Sequence, residues 1–431
     1  MGRNAHATGI IMQLEKPKLF PEKKTFVWVM VTLMAVILMR LFIEYQSYQN
    51  FISKPFYYTH AKVLDAYEKS KNGKRYQVLK LHSDEGFSFY TTSHRKESFD
   101  HKYLRLKILP NKGISFKDYL GTFYVKSRIK DQELLPLTFK DTLLEKVASQ
   151  HQENSLQSFY NAIFFATPLQ KELREKISML GVSHLVALSG FHLGILWGLV
   201  YGILLLLYKP LQQRFFPYRH ALFDVGLVAV VFLGVYLWFV DFPPSLVRSY
   251  AMVLVGWMVL LLGMELLSFT FLTTIMTTLI ILFPSLLVSL SFWLSIAGVG
   301  YIFLLLQYTK EFNKWIITLL FIPFGIFILM LPVVHAIFGV TSGYQLLSPL
   351  LSLLFIPFYP LVMMLHMIGF GGMFDTVLLW LFSLPDEGVD KLLPLWVMLG
   401  YVGLSLGAIW SRKLFFVVIG LALGYGVYLF L

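Results

Sequence analysis

The stretch "ALSGFHLGI", residues 187–195, lies near the start of a long apolar run and carries a serine and a histidine three residues apart. The run continues to about residue 208, which is long enough to cross a hydrocarbon layer of about 30 Å as a helix. We therefore place a membrane-spanning helix at 184–208. Polar groups that point at lipid are costly, so His184, Ser189 and His192 are expected to face another helix or a water-filled cavity.

Glycines occupy the other side of this predicted helix. At about 100° per residue, Ser189 and His192 fall on one face, whereas Gly190 and Gly194 fall on the opposite face. Glycine recurs at every fourth position from 190 to 202, a spacing that lets a second helix approach closely. We therefore predict that Gly190, Gly194 and Gly198 pack against a neighbouring helix. The alternative reading of His192 is a single buried histidine bonded to a carbonyl.

The composition is that of a polytopic α-helical membrane protein. The chain has 431 residues, of which 56% are hydrophobic and only 14% are charged, and its mean hydropathy is +0.64, far from the values of soluble domains. Cysteine is absent, so the sequence holds no disulfide and no thiolate metal site. We predict about 9–11 membrane helices, near 25–43, 184–208, 221–240, 245–264, 267–283, 286–308, 315–332, 345–368, 370–384, 393–410 and 414–431, of which 370–384 is short.

The distribution of charge predicts how the chain is oriented. A basic tail, 1–24, precedes the first span, 25–43, so we expect a cytoplasmic N-terminus. The connections then alternate between two sets of charges. Basic residues mark the cytoplasmic side (Lys209, Arg214, Arg219, Lys310, Lys314, Arg412 and Lys413), and acidic residues mark the other side (Asp241, Asp386, Glu387 and Asp390). This pattern puts residues 50–135 and a linker with amphipathic helices, 140–182, outside the membrane, ahead of a multi-helix membrane domain, 183–431.

Short β-rich stretches separated by Asn-Gly and Glu-Gly turns fill residues 56–130. Five such strands predict a small all-β barrel of the OB type, although an SH3-like barrel fits nearly as well. Residues 51–150 hold 19 Lys and Arg against 11 Asp and Glu, with aromatic residues interleaved, as in proteins that bind single-stranded nucleic acid. The alternative is that the aromatic rings form the core and the lysines are merely solvated. The candidate DNA contacts are Lys74, Arg75, Tyr76, Phe89, Lys126 and Arg128.

An amphipathic helix is predicted in "TPLQKELREKISMLG", 167–181. Thr167 is a candidate N-cap with Pro168 at the first helical position, and Gly181 ends the run. Leu169, Leu173 and further apolar residues share one face. We expect this helix to lie on the outer leaflet or against the membrane spans.

Three segments resemble those of the ComEC-type competence proteins, the inner-membrane channels for DNA uptake in natural transformation. They are "GVSHLVALSGFHLGIL", 181–196, the Pro-Ser-x-x-Arg segment "PPSLVRSYAMVLVGWM", 243–258, and the Pro-then-Leu-Ser segment "FPSLLVSLSFWLSIAGVGYIFLLL", 283–306. Trp293 stands where the family commonly has glutamine. The chain also lacks the His-x-His-x-Asp-His cluster of the metallo-β-lactamase-like domain that many members carry, so we expect a short form without that domain, without a metal site and without a cofactor.

The resemblance implies a channel for single-stranded DNA rather than an enzyme, with no catalytic residues. The DNA path would be lined by Ser189, His192, His184, Arg248 and Ser245. Arg248 has the alternative of snorkelling to the membrane surface or pairing with Asp241. The implied partners are single-stranded DNA, membrane lipid, other competence proteins such as a periplasmic DNA-binding protein and a cytoplasmic helicase or ATPase, and a second copy of the chain.

Two other functions remain open at this stage. A small-solute transporter would also be polytopic, but no inverted repeat is detectable and such carriers place carboxylates at mid-membrane. An intramembrane serine hydrolase could use Ser189 and His192, although both lie on one predicted helix, without a visible oxyanion arrangement.

Overall fold

The computed structural model of the protein describes residues 19–431 apart from 21, 72, 96, 100, 262–267 and 386–387, and it leaves the side chains at 71, 74 and 244 undescribed. Most of the predicted basic tail therefore lies outside the described residues. Two of the acidic residues used above, Asp386 and Glu387, also lie outside them, as does the side chain of Lys74.

The first helix, α1 (Lys23–Ser53), is longer than the span predicted at 25–43. Its apolar part is long enough to cross a membrane, and its last two turns continue beyond that part to the sheet that follows. Tyr48 donates a hydrogen bond to the carbonyl of Ile114 at 2.7 Å, and Phe51 is buried in the core of the sheet. The helix continues past the predicted end because these two rings are buried by doing so.

The β-rich region forms six strands and one short helix, as the sequence predicts in outline. They are β1 (Tyr57–Lys71), β2 (Lys74–Ser83), β3 (Ser88–Ser93), β4 (Lys102–Leu109), α2 (Phe116–Leu120), β5 (Thr122–Tyr124) and β6 (Lys126–Leu134). The strand order is β5-β3-β2-β1-β4-β6. All neighbours are antiparallel except β3 and β5, which run parallel.

Alternate residues of these strands point into one apolar core. Leu79, Leu81, Leu104 and Leu106 are fully buried there, together with Phe89. The ring of Phe89 has an exposed fraction of 0% and packs against other phenylalanine rings. The prediction that Phe89 contacts DNA is therefore wrong, because a ring inside the core cannot stack on a base.

Four short helices link the sheet to the membrane domain: α3 (Phe139–Ala148), α4 (Asn154–Phe165), α5 (Lys171–Met179) and α6 (Ser183–Val186). The amphipathic helix α5 begins at Lys171, later than the predicted start at Thr167, because Ala166 ends α4 in the left-handed region with φ +61°. It buries Leu173 and Ile177, so its apolar face packs against protein.

The membrane domain follows as a series of apolar helices. They are α7 (Gly190–Phe215), α8 (Ala221–Phe239), α9 (Pro244–Leu261), α10 (Phe269–Leu282), α11 (Leu290–Tyr308), α12 (Lys314–Ile316), α13 (Ile322–His335), α14 (Ser348–Met367), α15 (Asp375–Phe382), α16 (Leu395–Gly407) and α17 (Arg412–Phe430). A π-helical turn joins α12 to α13. Seven helical segments of the described chain are long and apolar enough to cross a membrane, and four apolar helices are shorter. The chain is thus a polytopic helical membrane protein.

The two ends of the segment between residues 342 and 388 lie next to each other. Two short strands that flank it, β7 (Val340–Thr341) and β8 (Val389–Asp390), pair with each other. Within it, α15 has eight residues, about 12 Å of helix at 1.5 Å per residue, which is too short to cross a membrane. The predicted span at 370–384 is therefore not a crossing helix, and α14 and α15 form a hairpin whose two ends lie together.

Candidate functional site

The serine and histidine of the opening stretch are joined by a capping box. The helix does not run through from His184, because residues 187–189 are not helical and α7 begins at Gly190. Ser189 is its N-cap: its hydroxyl accepts a hydrogen bond from the amide of Phe191 at 3.3 Å. The Nδ1 atom of His192 accepts a hydrogen bond from the amide of Ser189, also at 3.3 Å. The three-residue spacing thus satisfies orphan donors at the helix start.

The start of α7 packs closely against α9. Ser245 donates a hydrogen bond to the carbonyl of Leu188 at 2.6 Å, which satisfies a backbone acceptor in the break before α7. A Cβ atom built on Gly190 would lie 2.8 Å from the hydroxyl oxygen of Ser249. Of the three predicted packing glycines, Gly190 therefore makes a close helix contact.

The guanidinium of Arg248 lies on α9 beside the start of α11. It donates hydrogen bonds to the hydroxyl groups of Ser289 at 3.3 Å and Ser291 at 2.9 Å, and it lies 5.9 Å from the ring centre of Phe292. Its exposed fraction is only 7%. Asp241, the alternative partner weighed above, binds Lys140 and Lys62 instead. Throughout the described chain, no carboxylate lies within ion-pair distance of Arg248.

These contacts bring together the three segments that the sequence analysis singled out. Ser245 joins the second segment to the first through Leu188, and Arg248 joins the second to the third through Ser291. Trp293, the residue that departs from the family pattern, is 42% exposed, and its indole donates to the carbonyl of Leu287 at 2.9 Å. The candidate site is therefore the junction of Leu188–Gly190, Ser245–Ser249 and Ser289–Ser291, which we call the α7–α9–α11 junction.

The two histidines of the first segment both contact α14. His184 Nε2 lies 3.2 Å from the hydroxyl of Ser352. His192 has an exposed fraction of 0%, and its ring lies edge-on to Phe355 and Tyr359 at centroid distances of 5.1 and 4.9 Å. In this structure His192 faces the α14–α15 hairpin and not a water-filled cavity.

The serine and histidine are not arranged as a hydrolytic pair. The Ser189 hydroxyl donates to the carbonyl of His184 at 3.3 Å, and the Nδ1 atom of His192 accepts from backbone. In the portion of the chain that the structure describes, there is also no group of three or more His, Asp or Glu residues placed to hold a metal ion.

The glycine stripe borders an open groove. Around Gly194 and Gly198, no other described atom lies within 4 Å of a built Cβ, so the predicted helix packing at these two positions is not found. Instead an apolar groove of about 550 Å³ runs between α7 and α14. Its lining consists of Gly190, Phe191, Gly194, Ile195, Gly198, Leu199, Ile356 and Pro360.

Two alanine substitutions distinguish the packed glycine from the open one. Gly190→Ala should lower the melting temperature of the full-length protein in detergent, because the new methyl group collides with the Ser249 hydroxyl. Gly198→Ala meets open space and should raise it, since alanine is favoured over glycine within a helix by about 1 kcal/mol. Equal shifts for both variants would contradict the packing described here.

Basic and aromatic side chains share the outer face of β1, β4 and β6. Tyr58 pairs with Lys107, and Lys107 pairs with Arg128, so the three lie in a row across the strands. Tyr58 is 49% exposed, and the ammonium of Lys107 lies 4.0 Å from the ring centre of Phe56. We call Phe56, Tyr58, His60, Arg105, Lys107, Lys126 and Arg128 the β1–β4–β6 face. Among described residues, none of its lysines and arginines lies within ion-pair distance of a carboxylate.

The structure separates the candidate DNA contacts into two places. Lys126 and Arg128 belong to the β1–β4–β6 face. Arg75 and Tyr76 lie at the tip of the β1–β2 hairpin, where Arg75 pairs with Ser70. Ser70 lies 13 residues along β1 from Tyr57, about 40 Å of strand at 3.3 Å per residue. The alternation of residues along a strand can indicate which of them are exposed. It does not indicate that Lys107 lies between Tyr58 and Arg128 on neighbouring strands.

Some other charges of the sheet are paired. Hydrogen bonds from Gln132 and Lys102 lower the pKa of Glu97 to about 2, so this carboxylate stays ionised and holds Lys102 and Arg95. A hydrogen bond to Asp84 raises the pKa of Tyr103 to about 12. Arg95 and Lys102 are therefore paired cations, unlike the lysines and arginines of the β1–β4–β6 face.

One end of that face adjoins the membrane domain. Lys62, two residues after the face residue His60 on β1, lies 3.8 Å from a carboxylate oxygen of Asp241. Asp241 and Phe242 form the tight turn before α9, both with positive φ, +63° and +51°. This turn leads within one helical turn to Ser245 and Arg248.

Comparisons with known proteins match a region that contains the three segments 181–196, 243–258 and 283–306. A family model described as "Competence protein" matches residues 166–430. A protein of Aquifex aeolicus described as "Uncharacterized protein" is 28% identical over 269 residues, which cover 61% of this chain and 58% of that protein. "Recombination protein 2" of Haemophilus influenzae is 25% identical over 224 residues, 48% of this chain and 27% of that protein. The chain thus spans less than two thirds of either relative, and no solved structure matches it significantly.

Proposed function

Since the chain belongs to the competence protein family, we propose that it is an inner-membrane channel that passes single-stranded DNA into the cytoplasm during natural transformation. Membership supports a role in DNA uptake. The proposal adds the form of the DNA, the direction of its movement and the path that it follows.

The observation that carries the proposal is the buried cation of the α7–α9–α11 junction. Within the described part of the chain, Arg248 has hydroxyl partners and no carboxylate partner, and burying a charge without an opposite charge is costly. A passing phosphodiester would supply the missing negative charge. Neutral hydroxyl partners hold the strand weakly enough to let it move on, as conduction requires.

We further propose that the sheet is an OB-like barrel that receives the strand outside the membrane. In support, β5 and β6 are separated by one residue and act as one bent strand, which pairs parallel with β3 and then antiparallel with β4. That pattern is typical of five-stranded OB barrels. The β1–β4–β6 face combines cations with exposed rings, as single-strand binding needs.

The proposed orientation rests on loop charges. Lys62 of the sheet meets the α8–α9 turn, which places this turn at the sheet end of the helices. Lys310 lies in the turn before α12, Lys314 begins α12, and Arg412 and Lys413 begin α17, all at connections predicted for the opposite side. The positive-inside rule then puts the sheet on the outer side of the inner membrane. Other competence proteins and a second copy of the chain are the proposed protein partners.

Disrupting this protein in a naturally transformable host tests the proposal. Transformation should be abolished, while labelled DNA still reaches a nuclease-protected state outside the cytoplasmic membrane, because only the last crossing is blocked. Normal transformation in the disrupted strain would contradict the proposal, as would loss of the protected DNA, which would indicate an earlier step.

A further inference from the structure

We propose that His151, His366 and Asp375 form a binding site for one shared proton, and that this site latches the α14–α15 hairpin against the helices between sheet and membrane. The inference goes beyond the proposed function and does not depend on DNA. It rests on three hydrogen bonds in series, two of which join groups that are more than two hundred residues apart in the sequence.

The three side chains form a continuous chain of contacts. His151, which follows α3, places its Nδ1 atom 2.9 and 3.0 Å from the two carboxylate oxygens of Asp375 at the start of α15. Its Nε2 atom lies 2.9 Å from the Nε2 atom of His366 in the last turn of α14. The Nδ1 atom of His366 lies 2.6 Å from the carbonyl oxygen of Val362. Both imidazoles are 4% exposed.

Counting protons shows what this arrangement can hold. Each of the three contacts needs one hydrogen, but two neutral imidazoles carry only two N–H groups between them. The third proton either makes one ring cationic beside the Asp375 carboxylate or protonates that carboxylate. In both cases the three groups together carry no net charge, which is the favourable state for a buried cluster.

Any other number of protons breaks the chain. With one proton fewer, one contact joins two lone pairs and a buried negative charge remains. With one proton more, both rings are cationic and two N–H groups point at each other across 2.9 Å. The observed geometry therefore belongs to an intermediate range of pH, and acid should open it.

The surroundings make the cluster a latch. Gln150 donates to the carbonyl of His366 and accepts from the amide of Gly371, at 3.1 and 2.8 Å. The titratable group that faces the rings from α4 is Tyr160, which stacks on His151 at 4.4 Å. From the start of α15 the facing group is Asp375, and from the last turn of α14 it is His366 itself. The bonds thus tie the α3–α4 segment to both arms of the hairpin.

The latched helix covers the candidate site. About two and three helical turns before His366, Tyr359 and Phe355 of α14 pack on His192 at the start of α7. Ile356 and Pro360 of the same helix line the open groove beside the glycine stripe. Release of the latch would therefore free α14 to move away from the start of α7.

The experiment measures how fast a buried position on α14 becomes accessible. The chain has no cysteine, so Val362→Cys, a small change at a fully buried site, gives one reporter thiol in the full-length protein in lipid nanodiscs. The reaction rate with a water-soluble thiol reagent is measured between pH 5 and 8 and divided by the rate of the same variant unfolded in detergent. That ratio removes the effect of pH on the thiol itself.

We expect the normalised rate to be lowest near pH 6.5, the ordinary pKa of histidine, and to rise on the alkaline side, where the open form binds one proton fewer than the closed form. Below about pH 6.5 the rate should rise about tenfold per pH unit. In that range the open form binds one proton more than the closed form, so acid favours opening. Adding His151→Gln should raise the rate at pH 7.5 about tenfold, because the bridging bonds are lost, and should abolish the dependence on pH. Asp375→Asn removes the compensating charge and should also raise the rate at neutral pH. This variant replaces His151→Gln in the experiment if His151→Gln does not accumulate.

Matched controls separate the latch from general unfolding. His335→Gln removes another buried histidine whose Nδ1 atom faces the carbonyl four residues earlier, and it should leave the pH profile of Val362→Cys unchanged. A reporter at Ala422→Cys, fully buried in α17, should stay protected at every pH. A flat profile in the parent, an unaltered slope with His151→Gln, or parallel exposure of the Ala422→Cys reporter would each overturn the latch.

Discussion

Arg248→Gln should lower transformation about a hundredfold at unchanged protein abundance in the membrane. A hydrogen bond to a charged group is worth about 1.5–3 kcal/mol, and glutamine keeps a donor for Ser289 and Ser291 but removes the charge that we propose for phosphate. Arg248→Lys should stay within about tenfold of the parent. The arginine is held by two hydroxyl groups and not by a carboxylate that would need its planar fork.

Abundance has to be measured in the same cells, because a misfolded channel and an inactive one give the same count of transformants. Arg219→Gln is the matched control, since this exposed arginine pairs with Asp224 at 3.0 Å and surface pairs contribute little. Equal transformation by Arg248→Gln and the parent would exclude the buried cation from the DNA path. Equal loss with lysine and glutamine would indicate that the guanidinium holds the fold.

A combined variant of the β1–β4–β6 face should lose most of its affinity for single-stranded DNA. Tyr58→Ala removes an exposed ring, and base stacking on an aromatic ring is worth about 1–3 kcal/mol. Lys107→Gln and Arg128→Gln together should reduce the slope of log affinity against log salt by about 1.4, because each phosphate contact with a single strand contributes about 0.7. Fluorescence anisotropy with a labelled oligonucleotide and the full-length protein in detergent measures both quantities.

The tip of the β1–β2 hairpin offers the matched control. Arg75→Gln with Tyr76→Ala makes the same kinds of change on the same sheet, far along β1 from the face. We expect little loss of affinity from this pair of substitutions. A loss as large as that of the face variant would place the DNA at the tip, and no loss from either variant would leave the sheet as a docking surface for another protein.

The membrane architecture was accessible from the sequence because it depends on local properties. Long apolar runs, short charged connections and the alternation in residues 56–130 each reflect neighbours along the chain. The helices α8, α11 and α17 accordingly lie within a few residues of their predicted spans, whereas α7 begins six residues and ends seven residues later than predicted. The prediction for Phe89 was wrong because alternation along a strand does not tell which of its two faces points into the core. Phe89 lies in a strand as predicted, but its ring faces inward.

The stretch "ALSGFHLGI", residues 187–195, shows most clearly which features local sequence indicates and which it does not. A serine and a histidine three residues apart fit the spacing of a capping box. The sequence could therefore have indicated that the helix begins after Ser189 and not at His184. The sequence could not indicate that Gly190 packs against Ser249 of α9, whereas a Cβ atom on Gly194 or Gly198 would meet open space. All three glycines have the same helical spacing, and only the position of α9 distinguishes them.

By itself, the sequence determined that this protein lies in a membrane, in which order its sheet and helices follow, and which three segments mark its family. The tertiary structure alone decided what those segments contact: Leu188 with Ser245, Arg248 with Ser291, and His151 with Asp375 across more than two hundred residues. Hydropathy and periodicity record whether a side chain is buried. They do not record against which distant partner it is buried, because that choice is made by the packing of whole helices, whose polar groups must find one another where water is excluded.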